Sequence, residues 1–63
     1  MRITSNALWS KDNIPLEDSI CYHDDIKVAE MTCKFLKSFT KDKCCQVRGI
    51  CIDAWVEVDG VRQ

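Results

Sequence analysis

Glycine, proline and long apolar runs are scarce in this chain. Its 63 residues include two glycines and one proline, whereas 46% of the residues are hydrophobic. Disordered chains show the opposite balance, so we expect a folded protein. No apolar run exceeds three residues, far below the roughly 20 that a membrane-spanning helix needs. Nothing after Met1 resembles a signal peptide, and the sequence therefore predicts a cytoplasmic protein without membrane contact.

A surplus of positive charge is also missing. Nine basic and ten acidic residues leave a formal net charge of −1. Because generic nucleic-acid binders draw most of their affinity from excess lysine and arginine, this composition argues against that class. One basic cluster stands out, and its members are Lys34, Lys37, Lys41, Lys43 and Arg48. No aromatic residues alternate with them, so an ordinary solvated surface is the simpler interpretation, and weak nucleic-acid binding is an alternative.

Catalytic motifs are lacking as well. The chain has one histidine, His23, as a possible base for a cysteine nucleophile. A chain this short has little material for a substrate cleft and an oxyanion hole. No catalytic constellation can be assembled from the motifs, so we expect a protein that is not an enzyme and needs no cofactor.

The five cysteines do not show the spacing of a zinc site. Structural zinc sites usually contain C-x₂₋₄-C pairs on a tight turn, and no such pair occurs here. An odd number of cysteines in a cytoplasmic chain favours free thiols, most of them buried. The alternative is a small zinc-stabilised module, with ligands from Cys21, His23, Cys44 or Cys45, and Cys51.

Hydrophobic periodicity predicts a strand, an extended segment, a helix, a long strand and a short final stub within a single domain that spans residues 1–63. Residues 3–9 alternate as a strand, residues 10–15 contain loop-forming residues, and residues 16–22 are extended. Asp24 or Asp25 caps a helix over residues 25–39. A β-branched segment over residues 47–58 forms a long strand, and Asp59-Gly60 is a tight turn before a short final hairpin.

Two apolar faces are expected to meet in the core. The helix presents a broad stripe that consists of Val28, Ala29, Met31, Phe35, Leu36 and Phe39. The long strand presents Ile50, Ile52, Ala54, Val56 and Val58 to this stripe. Its opposite, outer side carries Gly49, Cys51, Asp53, Trp55 and Glu57.

The resulting fold class is α+β, a small antiparallel sheet with one amphipathic helix packed on one face. The outer face of such a sheet is uncovered, and a core of this size rarely supplies more than about 3–5 kcal/mol of net stability. Both points favour association, as a homodimer through the sheet or as a complex with another protein that covers Trp55. Alternatively, the N-terminal segment with Trp9 covers Trp55.

The sequence thus predicts a small protein-binding regulator or inhibitor that acts by occupying a partner surface. Its predicted contact residues are Asp53, Trp55 and Glu57, because tryptophan often dominates binding energy and flanking carboxylates favour a basic partner. Many proteins of this size without enzymatic motifs act in this way, including accessory proteins of phages and other mobile elements. The sequence contains no motif that identifies the partner.

Overall fold

Over the residues that the structure describes, the chain folds as four strands and one helix. The computed structural model describes residues 1–12 and 14–63, without the side chains of residues 15–18. The elements are β1 (Ile3–Lys11), β2 (Ile14–His23), α1 (Ile26–Lys37), β3 (Ile50–Val58) and β4 (Val61–Arg62). The strands form one antiparallel sheet in the order β2-β1-β3-β4, and α1 packs on one face of it. This confirms the predicted α+β class.

The first two strands are longer than the sequence predicts. Residues 10–15 were expected to form a loop, but Lys11 pairs with Ile14 and Ser10 pairs with Pro15. Asp12, which follows the last residue of β1, adopts a φ of 52°. Proline is tolerated in β2 because that strand lies at the edge of the sheet.

A bulge in β3 changes which residues of that strand face the helix. Leu8 pairs with Asp53, but Trp9 pairs with Cys51, so Ile52 is an extra residue between two ladder positions. The bulge brings Cys51 against the core and leaves Ile52 60% exposed. The predicted alternation therefore holds from Ala54 onwards and is wrong at Ile52.

The same bulge also moves Ile50 to the opposite face. Ile50 pairs with Ser10, which follows the core residue Trp9 and so faces away from it. The strand also begins at Ile50, three residues later than predicted.

The helix begins one residue later than the sequence predicts and ends two residues earlier. Asp25 caps it, with Oδ1 accepting the Lys27 N–H at 2.8 Å, and Ser38 follows the last helical residue. The packed face differs in part from the expected stripe. Ala29 is buried as predicted, and Leu36 and Phe39 pack against the core, but Cys33, which the stripe did not include, is buried as well.

Three members of the expected stripe are largely exposed. Val28 is 49% exposed, Met31 69% and Phe35 60%. Small side chains at positions 29 and 33 let the helix backbone approach the sheet closely, and the bulky side chains then lie at the flank or outside.

The core lies between α1 and the central strands. It consists of Ile3, Ala7, Trp9, Ala29, Cys33, Ala54 and Val56. The helix packs mainly on β3 and β1 and only slightly on β2. Among the residues described, no helix has the length and apolar character needed to cross a bilayer.

Candidate functional site

The three predicted contact residues lie together on the outer face, the side of the sheet away from α1. Cross-strand pairing places Asp53 opposite Leu8, Trp55 opposite Asn6 and Glu57 opposite Thr4. These positions alternate with the core residues Ala54 and Val56, so all three side chains project from the uncovered face.

Trp55 is held in position by polar neighbours. Its Nε1 donates a hydrogen bond to Glu57 Oε2 at 2.7 Å. The Arg62 guanidinium lies 4.7 Å from the centre of the indole ring and donates to Asp53 Oδ2 at 3.1 Å. We call Asp53, Trp55, Glu57 and Arg62 the outer-face cluster. Within it the indole is partly buried, rather than fully exposed as expected.

Arg62 was not among the predicted site residues. The turn at Asp59 and Gly60, with φ values of 52° and 83°, returns the chain so that Arg62 pairs with Glu57. The Asp-Gly dipeptide already predicted this hairpin, and a two-residue loop determines the cross-strand register. Counting that register forward would have placed Arg62 beside Trp55.

The ionic contact within the cluster orders the site more than it stabilises the fold. The side chains of Arg62 and Asp53 are 59% and 38% exposed. Ion pairs this exposed contribute about 0–1 kcal/mol because water and salt screen them. The cation–π contact adds about 0.5–1 kcal/mol at an exposed position.

Trp9 does not cover Trp55, which contradicts one alternative. Trp9 is 2% exposed and lies on the helix-facing side, where its ring centre is 5.6 Å from that of Phe39. The outer face continues beyond Trp55 with two exposed side chains of β2. Ile20 is 53% exposed and Tyr22 is 72% exposed.

The candidate zinc ligands do not converge. Cys21 and Cys44 are exposed, and His23 bonds to Ser5 Oγ through Nε2 at 2.8 Å. In the part of the chain that the structure describes, no group of three or more His, Cys, Asp or Glu side chains is placed to hold a metal ion. All five cysteines are free, but only Cys33 is fully buried, so the expectation of mostly buried thiols is wrong.

The basic residues of the predicted nucleic-acid surface are divided among three places. Lys34 and Lys37 line a groove beside β3, and Lys41 lies beside the end of β1. Arg48 lies 5.9 Å from the ring centre of Trp9, on the side of the helix nearest β2. Lys34 and Lys37 thus line a different groove from those lined by Lys41 and by Arg48.

Among the cysteines whose pKa is shifted, Cys45 is the one whose surroundings lower the pKa of the thiol. The backbone N–H groups of Arg48 and Val47 bond to its sulfur and lower the pKa of the thiol, and the Arg48 charge adds to the effect. Burial raises the pKa of Cys33 and of Cys51. Thiolate at Cys45 therefore persists to lower pH than in an ordinary cysteine.

We expect iodoacetamide to alkylate Cys45 faster than Cys51 or Cys33 at neutral pH, because the thiolate is the nucleophile. Rates at each site can be followed by peptide mass spectrometry over a pH series. Cys51 is the matched control, because it is also partly buried and adjoins the same core. Equal rates at Cys45 and Cys51 at every pH would contradict the assigned environment.

Comparisons with known proteins provide no relative for this chain. No protein-family model matches it, and searches of curated proteins and of solved structures found no significant match.

Proposed function

We propose that this chain is a small, non-enzymatic regulator or inhibitor that acts by occupying the surface of another protein, with the outer-face cluster as its contact. The observation that carries the proposal is an indole held by Glu57 and Arg62 on a sheet face that the helix leaves uncovered. Free thiols at Cys21 and Cys44 fit a reducing compartment, so we place this activity in the cytoplasm.

The geometry of Trp55 reduces the entropy lost on binding. A side chain that is already ordered before association loses little rotamer freedom when a partner packs on it. Tryptophan and arginine are also the residue types most enriched among those that dominate binding energy, and here they stack on each other. The pair forms a preorganised anchor on an otherwise open surface.

The charge of the cluster indicates the chemistry of the partner. Asp53 and Glu57 contribute two carboxylates, and Arg62 contributes one guanidinium, which contacts Asp53. Glu57 accepts the indole N–H and keeps capacity for a further donor. We therefore expect the partner to present an apolar pocket for Trp55 beside a lysine or arginine that reaches Glu57.

Trp55→Ala should weaken partner binding by about 2 kcal/mol or more, roughly 30-fold in Kd, because it removes the anchor. Proteins from an extract of the source cells that bind the immobilised wild-type chain would be identified and purified. Each of them would then be titrated calorimetrically with every variant. Met31→Ala is the matched control, since it truncates a side chain that is 69% exposed on the helix, away from the cluster.

Arg62→Ala tests preorganisation separately. It leaves the indole in place but removes its stacking partner, so we expect a smaller loss of affinity than with Trp55→Ala. Circular dichroism of each variant checks that the fold is retained. If Trp55→Ala binds every such partner as tightly as Met31→Ala does, the cluster is not the contact and the proposal is wrong.

A further inference from the structure

The pairing of β3 with its neighbours shows towards which strand each residue directs its backbone N–H and C=O groups. Gln63 N–H donates to Val56 O at 2.8 Å, so Val56 turns its backbone groups towards β4. In an antiparallel ladder successive residues alternate in direction, and Trp55 therefore bonds to β1, where its partner is Asn6.

The same alternation identifies the open groups of β2. Because Asn6 bonds to β3, its neighbour Ser5 turns towards β2 and pairs with Cys21. Ile20 and Tyr22 consequently direct their N–H and C=O groups away from the sheet. Since β2 is an edge strand, these groups are a template for another strand.

The helix flank above this edge is apolar. Phe35 lines a groove together with Cys21, and Val28 lies two turns earlier on the same side of α1. They are 60% and 49% exposed, respectively. The opposite flank, above β3, carries Glu30 and Lys34 instead. Open backbone groups and uncovered apolar side chains thus coincide at the β2 edge.

We propose that two copies of this chain associate edge to edge through β2, antiparallel about a two-fold axis at Cys21. Ile20 of each copy then lies opposite Tyr22 of the other, and both residues supply the open backbone groups. The two sheets become one eight-stranded sheet. Because the axis is perpendicular to the sheet, both helices lie on the same face, with the flanks that carry Val28 and Phe35 turned towards each other.

Several features favour a second copy of this chain as the partner that binds the β2 edge. The open groups at Ile20 and Tyr22 are symmetric about Cys21, so a single register satisfies both edges. The segment 19–23 contains no Asp, Glu, Lys or Arg, so the paired residues themselves carry no like charges. Acidic residues on both sides, at 17–18 and 24–25, would oppose one another in this register and limit the pairing to these five residues. Aromatic and β-branched side chains placed directly opposite each other also stabilise antiparallel pairs.

The exposed area supports association. The accessible surface is 4716 Å², whereas a typical monomer of 7.3 kDa exposes roughly 4200 Å². The excess of roughly 500 Å² is a large part of the roughly 800 Å² that each subunit buries in a standard interface. The chain is also elongated, with extents of 36 × 18 × 17 Å.

Sedimentation velocity at about 100 μM tests the proposal, because this concentration saturates an interface with a micromolar Kd. We expect a dimer for the wild-type chain and a monomer for Tyr22→Pro, which removes an N–H that the monomer does not use. Tyr22→Thr is the control. It loses the ring but keeps the N–H, so it should still dimerise, more weakly. A monomeric wild-type chain at this concentration would overturn the proposal.

Cross-linking through the natural thiols tests the register without altering the edge. In the proposed pairing the Cα atoms of the two Cys21 residues are about 4.5 Å apart, within the range that a disulfide spans. Diamide accepts the two thiol hydrogens as the Sγ–Sγ bond forms. A covalent dimer should form with the wild type and with Cys44→Ser, and not with Cys21→Ser. Cross-linking through Cys44 instead, or none at all, overturns the β2 register.

The proposed dimer and the proposed contact role of the outer-face cluster can be tested independently. Trp55→Ala should leave the dimer intact, because Trp55 lies on β3, two strands away from the proposed seam. Loss of dimerisation in that variant, together with retention in Tyr22→Pro, would place the interface at the outer-face cluster and overturn the β2 assignment.

Discussion

Trp9→Ala should lower the free energy of unfolding by about 3–5 kcal/mol, the usual cost of truncating a large buried aromatic side chain. Trp9 is 2% exposed, packs against Phe39, and its Nε1 donates to Ser19 Oγ at 2.9 Å. The substitution creates a cavity and removes the donor to Ser19. Since a domain of this size has about 3–5 kcal/mol of net stability, we expect the variant to be largely unfolded.

Urea denaturation followed by far-ultraviolet circular dichroism measures this effect. Trp55→Ala is the matched control, because it makes the same chemical change on the outer face and should cost much less. Trp9→Phe should lie between them, since it retains an aromatic ring but loses the hydrogen bond to Ser19. A Trp9→Ala chain as stable as Trp55→Ala would show that Trp9 is not the centre of the core.

Gly49→Ala should be nearly as disruptive, with an expected loss of about 2–5 kcal/mol. Gly49 is buried at a φ of 86°, where a side chain adds about 1–2 kcal/mol of backbone strain. A Cβ there would also overlap Ser10 O and lie 2.8 Å from Lys11 Cα. Backbone atoms of a paired strand cannot move aside easily, so overpacking adds about 1–3 kcal/mol.

Gly60→Ala separates these two contributions. Gly60 has a φ of 83°, close to that of Gly49, but nothing lies within 4 Å of the position that a Cβ would take. The control variant therefore suffers backbone strain alone and should lose about 1–2 kcal/mol. Thermal denaturation of both variants gives the comparison. Equal losses would mean that the segment carrying Gly49 is not packed against β1 as the structure shows.

Local signals in the sequence were sufficient for the order of elements. An aspartate cap at position 24 or 25, the Asp59-Gly60 turn and a β-branched strand before that turn were each predicted, because short-range chemistry determines them. The common placement of Asp53, Trp55 and Glu57 followed from simple alternation, since these positions lie on the regular side of the bulge.

Predictions that depended on long-range packing were less accurate. The extra residue at Ile52 has no local signature, because a bulge arises from how two strands meet. The face of α1 that contacts the sheet was also misjudged, since Val28, Met31 and Phe35 look like core residues by hydrophobicity alone. Arg62 was missed because its contact with Trp55 crosses a hairpin.

The sequence by itself determined the α+β class, the helix cap, the final turn and the three outer-face residues between the bulge and that turn. These features depend on interactions within a few residues or on strict two-residue alternation. Only the tertiary structure decided which helix face is buried and which strand edge stays open. Both depend on contacts between residues far apart in the chain. Small side chains at Ala29 and Cys33 let the helix lie close to β1 and β3, and this determines the buried helix face.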